Sequence, residues 1–127
     1  MTAPDWISSA VEEFGRSAGL GSLSLGQSGV AALSFQNGFG LRFEHAPDSL
    51  YVAMTVPARL DAASAARLLG YAHPDARLGA RLRTGYLAKR GCAVFVAKLA
   101  DRDVTLPAIN AAFAVLWRVA LEFGGTA

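Results

Sequence analysis

The sequence predicts an α+β domain: an antiparallel twisted sheet flanked by helices, in the order α-β-β-β-α-β-β-α. Three observations predict it. Both ends carry apolar residues at helical spacing. The stretch between Leu33 and Val56 alternates with period two and is punctuated by turn residues. Leu82 to Phe123 reads as strand, turn, strand, capped helix.

The elements follow in order. Thr2 is placed to cap a first helix, with Pro4 in its first turn and Asp5 near its positive end. Ile7, Val11, Phe14 and Ala18 form its apolar stripe, and Gly19 ends it. A Gly/Ser-rich connection follows from Gly21 to Gly29, in which Leu23 and Leu25 alternate with serine and suggest a short edge strand. Leu33 and Phe35 then lead into Asn37-Gly38, a strong hairpin signal, and into Phe39, Leu41 and Phe43. Ala46-Pro47-Asp48 turns the chain into Leu50, Val52, Met54 and Val56, completing a three-stranded meander that Pro57 ends. Asp61 caps an alanine-rich second helix running to about Ala72 and stopped by Pro74. After an irregular piece, Leu82–Leu87 and Cys92–Leu99 are strands joined by Lys89-Arg90-Gly91. Thr105 caps a last helix with Pro107 near its start and the stripe Ile109, Phe113, Leu116, Ala120 and Phe123.

At 127 residues the chain is one domain, 1–127, long enough to bury a core without metals or disulfides. Hydrophobic residues make up 53% and charged residues 17%, against average usage of about 45–50% and about 25%. Apolar surface is therefore left to bury against a partner. The net charge of +2 is weakly basic. Its densest stretch, Arg77, Arg81, Arg83, Lys89 and Arg90, fits a solvated strand edge and turn, not a nucleic-acid stripe with interleaved aromatics. The single cysteine, Cys92, allows no intrachain disulfide and suits a reducing cytoplasm. Asp5, Glu12 and Glu13, with no basic residue before Arg16, do not read as a signal peptide. The uncharged run Ser17–Leu41 is broken by six glycines, and the one from Val104 to Trp117 has only fourteen residues, so no membrane insertion is expected.

Catalytic chemistry is hard to find. His45 and His73 sit at element ends beside prolines, and two histidines with one cysteine make no zinc site. Cys92 opens an apolar strand, the wrong place for a reactive thiolate. Gly26-Gln27-Ser28-Gly29 is one residue short of a nucleophile elbow. The glycines fit neither a dinucleotide fingerprint nor a P-loop. Glu12 and Glu13 are adjacent and point to different helix sectors. No catalytic residue, metal or cofactor is expected. What stands out instead is the outward set of the strands, read as Ala32, Gly40, Tyr51, Ala53, Ala93, Phe95 and Ala97. It is small and aromatic where a solvated face would be polar, unless the third helix covers it.

At this point the residues resemble a known family. Asp5-Trp6-Ile7, Phe14 and Gly19-Leu20 at one end, and Leu82-Arg83-Thr84-Gly85-Tyr86-Leu87, Val94-Phe95-Val96, Val104-Thr105-Leu106-Pro107, Ala112-Phe113 and Leu116 at the other, resemble the class I chaperones of bacterial type III secretion, SycN type. From Gly26 to Gly79 the match is one of pattern alone. The resemblance implies the class I secretion-chaperone fold and a small cytoplasmic dimer of a Gram-negative bacterium that uses no ATP. It implies a partner that is a second small chaperone (a heterodimer) or the chain itself (a homodimer). It implies a substrate held as an extended segment near its N-terminus, for the SycN type the gatekeeper that plugs the secretion channel. Many such chaperones are acidic. The pI of about 9.0 departs from that, and would suit an acidic partner subunit or an acidic substrate segment.

Two sets of residues follow. The small-residue second helix and the strand after it, through Leu68, Leu69, Tyr71, Leu78 and Leu82, are expected at the dimer interface. Trp6, Phe14, Phe35 and Phe43, large and apolar near the elements this family uses for its hydrophobic patches, are expected to bind substrate, although Phe14 and Phe43 are equally well placed for the core. Two other classes compete: a small hydrolase using Ser28 or Cys92, and a permanent structural subunit of a larger assembly.

Overall fold

The structure, a computed structural model, describes residues 3–21, 23–59, 61–71 and 82–124. The expected order is found. Helix α1 (Asp5–Ser17) is followed by strands β1 (Val30–Ser34), β2 (Gly40–Ala46) and β3 (Ser49–Pro57). Then come helix α2 (Ala62–Tyr71), strands β4 (Leu82–Leu87) and β5 (Cys92–Ala100), a 3-10 turn at Asp101–Asp103, and helix α3 (Leu106–Gly124). Thr2, His73, Pro74 and Leu78 lie outside the described residues.

Four helix ends have a visible physical cause. Pro4 precedes α1, and its carbonyl accepts from the Ile7 and Ser8 N–H groups. At the other end Gly19 takes φ +72. Its N–H bonds the Arg16 carbonyl while the Leu20 N–H reaches the Gly15 carbonyl, a Schellman closure. Asp61 and Ser64 cap α2 reciprocally: the Ser64 N–H donates to Asp61 Oδ1 at 2.8 Å, and the Asp61 N–H to Ser64 Oγ at 2.9 Å. Thr105 caps α3, its Oγ1 accepting from the Ala108 N–H at 3.1 Å.

The sheet is antiparallel in the order β1-β2-β3-β5-β4, so β5 enters between β3 and β4. The first hairpin closes through the Phe35 N–H on the Phe39 carbonyl. Asn37 Oδ1 accepts from the Phe39 N–H, and Gly38 adopts φ +94, which a side chain resists. Leu23 and Leu25 form no strand. They are buried instead, with glycines at positive φ on both sides, Gly21 and Gly26, turning the chain away from a ladder.

One sheet face carries the core. Phe43, Leu50, Val52, Met54, Val56, Ala93 and Phe95 are fully buried on it. Against them pack Ile7, Val11 and Phe14 of α1, Leu68 of α2, and Ile109, Leu116, Val119 and Ala120 of α3. Each such large side chain contributes about 1.5–3 kcal/mol by leaving water. Helix α3 is long and apolar enough, by length and composition, to cross a membrane. Its role in the core accounts for the apolar stripe. Phe113 is half-buried, while Ala112 and Val119 share the buried face.

The phase of β5 differs from the sequence reading. Val56 pairs with Ala93, Met54 with Phe95 and Val52 with Ala97, so Ala93, Phe95 and Ala97 face the core. Val94, Val96 and Lys98 face out, beside Ala32, Ala53 and Tyr51. Strand β5 is apolar at almost every position, so its own alternation is silent. The register with β3 decides the face.

Candidate functional site

The four residues expected to bind substrate separate into two environments. Phe14 and Phe43 are core residues, 1% and 0% exposed, with ring centroids 5.6 Å apart in an edge-to-face contact. They form no surface patch, because the α1 stripe that holds Phe14 is the stripe that seats the helix on the sheet. Trp6 lies at the edge of that stripe and is 50% exposed. Phe35 is half-buried at the end of β1, against Trp117 at 5.0 Å and Phe113 at 6.4 Å. Phe113 in turn touches Phe14 at 5.3 Å and stacks with Trp117 at 5.8 Å, and Phe39 meets Trp117 at 5.4 Å. A continuous aromatic cluster thus runs from the core to the surface between α3 and the first hairpin. The sequence reading missed Trp117. Its spacing of four from Phe113 was the available signal.

Strand β1 beside this cluster is a sheet edge: among the described residues it pairs with β2 alone. The Val30 N–H is taken by the Leu25 carbonyl at 3.1 Å, and the outward N–H and C=O groups of Ala32 and Ser34 offer an extended chain a ladder to join. Beside the C-terminal half of α1, a groove of about 520 Å³ is lined by Glu12, Arg16, Gly19, Gly21, Leu23 and Ser24.

The expected dimer residues also divide. Leu68 and Leu82 are 6% and 5% exposed and belong to this chain's own core. They are already spent within the fold and cannot lie open at an interface. Leu69 is 72% exposed. On the same helix Ala62, Ala63, Ala66 and Gly70 are exposed too. Arg67 ties α2 to the end of α3 by donating to the Glu122 and Phe123 carbonyls at 3.0 and 2.9 Å, with its guanidinium 5.0 Å from the Phe123 ring centroid. Tyr71 ends the helix, and Leu78 lies outside the described residues.

The residues considered for chemistry are not brought together. Ser28 Oγ accepts a long bond from the Val30 N–H at 3.4 Å. His45 directs Nε2 to Asp101 Oδ1 at 2.9 Å, with its side chain 7% exposed. Cys92 is buried. Among the described residues no group of three His, Cys, Asp or Glu side chains could hold a metal ion. The carboxyl of Asp61 is held below the ordinary aspartate value, chiefly by the Ser64 N–H, then by the Ser64 hydroxyl. That is helix capping, not catalysis.

A helix-covered antiparallel sheet with an edge strand, an exposed apolar helix face and a half-buried aromatic cluster offers surface to another chain and assembles no catalytic group among the described residues. The comparisons supply the family. The family model described as type III secretory system chaperone SycN matches residues 6–123, and the chain belongs to that family of secretion chaperones, which is not an enzyme class. The solved ExsC–ExsE complex contains a chain of the same fold, with TM-score 0.77 and 23% identity over 94% of this chain and 92% of that one. The HopA1–SchA chaperone–effector complex gives TM-score 0.72 and 18% identity over 93% and 92%. The Yersinia pestis type III secretion chaperone SycH, in complex with a fragment of YscM2, gives 0.72 and 16% over 93% and 99%. No curated protein matches the chain in sequence.

Proposed function

We propose that this chain is one subunit of a dimeric cytoplasmic chaperone that holds an extended segment near the N-terminus of a secreted protein. The observation that carries the reading is the free β1 edge lying beside the half-buried Phe35–Phe113–Trp117 cluster. An edge gives an extended segment sequence-independent backbone bonds, and the aromatic cluster gives its alternate side chains somewhere apolar to go. Trp6 extends the apolar surface along α1. Family membership supports the role, and the similar structures include complexes of chaperones with their effectors. For the SycN type the substrate we propose is the gatekeeper of the secretion channel.

Dimerisation completes the reading. We place it on α2, where Leu69 and the exposed alanines leave an apolar face that no other described residue covers. The partner is a second small chaperone or a second copy. Leu69→Asp would put a charge into that contact and, since Leu69 is exposed, leave the fold alone. Light scattering should show a dimer, with or without the neighbouring small gene product, and a monomer for the variant. A variant that stays dimeric at micromolar concentration removes this interface. Substrate binding is tested by co-purification with the substrate's N-terminal segment. Trp6→Ser and Phe35→Ser should lose the complex, with little change in Tm for Trp6→Ser. Retention of the complex by both would place the segment elsewhere.

A further inference from the structure

The sheet face opposite the helices has no role in that reading. None of Tyr51, Ala53, Thr55, Val94 or Val96 belongs to the core cluster, and no helix among the described residues covers them. The register sets their arrangement. One cross-strand row reads Ala32, Arg42, Ala53, Val96, Arg83, and the next Ser34, Gly40, Thr55, Val94, Gly85. The two central strands, β3 and β5, thus present a floor of small and β-branched side chains. Arginines stand on the strands either side, Arg42 on β2 and Arg83 on β4. These lie three strand spacings apart, about 14 Å. An α-helix with its side chains is about 10–12 Å across.

Among the described residues on this face, the charges around the trough are of one sign with a single exception. Arg42 is bonded to Glu44 at 2.9 Å, both exposed. Lys98 sits 5.9 Å from the Tyr51 ring centroid on the same face. At the hairpin end Arg90 and Arg42 both line a groove of about 360 Å³, with Ser34, Gly40, Thr55 and Cys92. Four cations therefore face one carboxylate.

We propose that this face docks an amphipathic α-helix of another protein, carrying an apolar stripe flanked by acidic residues. Helix α3 already packs on β3 and β5 from the opposite side, so the docked helix would complete a three-layer sandwich over the same two strands. Glutamates or aspartates on its flanks would meet Arg42, Arg83, Lys98 and Arg90. A second copy of this chain is a poor occupant. A two-fold contact through this face opposes like charges. The exposed apolar face of α2 neighbours Arg67, and α1 and α3 spend their stripes on their own sheet.

The test uses the full chain and two synthetic helical peptides of about 14 residues, the length that spans a six-residue strand. Both share a Leu/Ala stripe; one has glutamates on its flanks, the other lysines. Fluorescence anisotropy should show the glutamate peptide binding at least tenfold more tightly, with affinity falling as salt rises. The double substitution Arg42→Glu, Arg83→Glu should reverse the preference. Ala53→Lys should abolish binding at an unchanged melting temperature. Equal binding of the two peptides, no binding of either at millimolar concentration, or binding that survives Ala53→Lys would overturn the proposal. So would a dimer of the chain alone that Ala53→Lys converts to a monomer, since a second copy would then hold the face. None of these outcomes affects co-purification with a secreted segment, so this proposal and the chaperone reading fail separately.

Discussion

Phe14→Ala separates a core residue from a binding residue. Phe14 is 1% exposed and sits where α1, α3 and β2 meet, in contact with the rings of Phe43 at 5.6 Å and Phe113 at 5.3 Å. Deleting a buried phenyl ring costs about 3–5 kcal/mol through lost transfer energy and the cavity left behind. Two edge or tilted ring contacts, worth about 0.5–1.5 kcal/mol each beyond area, are lost with it, which puts the value near the upper end, about 4–5 kcal/mol. With a urea slope of about 1–3 kcal/mol per molar, the unfolding midpoint should fall by at least about 1.3 M. Trp6→Ala, on the same helix but half exposed, should cost under about 1 kcal/mol in the same titration. A Phe14→Ala loss below about 1 kcal/mol, together with loss of the substrate complex, would refute the core assignment and restore Phe14 to the binding surface.

Three further outcomes are expected. Asp101→Ala should cost about 1–3 kcal/mol in chemical denaturation, because it strips the acceptor from the nearly buried His45 ring. An unchanged midpoint would mean that water replaces the carboxylate. Gly38→Ala should cost about 1–2 kcal/mol, since φ +94 is strained for an L side chain and the new methyl would press on Pro57 Cγ at 3.3 Å. Asp61 has a carboxyl held lower in the folded protein than in the unfolded chain, so its contribution is complete above about pH 4 and is lost as pH falls through the folded value. Stability measured against pH should therefore lose part of its acid-side decline in Asp61→Ala, and an identical slope in variant and parent would contradict the cap.

The sequence by itself determined the order of the helices and of the five strands, and several of their ends. Helical spacing of Ile7, Val11 and Phe14, alternation from Leu41 to Val56, and the caps at Gly19, Asp61 and Thr105 all act within a few residues, so their consequences are local and legible. The secretion-chaperone family was legible as well, from residues at the two ends of the chain. Tertiary structure decided what each apolar residue is for. A stripe that could seat α1 or greet a substrate looks the same along the chain, and only the sheet beneath it makes Phe14 core and leaves Trp6 at the surface. Leu68 and Leu69 are sequence neighbours, yet one is buried on this chain's core and the other is open. Both are leucines beside one another on a helix rich in alanine, so residue type does not tell them apart and only the packing on the sheet does. In β5, apolar at both alternate sets, the face was fixed by pairing Met54 with Phe95, a contact between segments far apart in the chain. That pairing turned Phe95 inward and left Val94 and Val96 on the open side, because a strand without its own alternation takes its orientation from its neighbour.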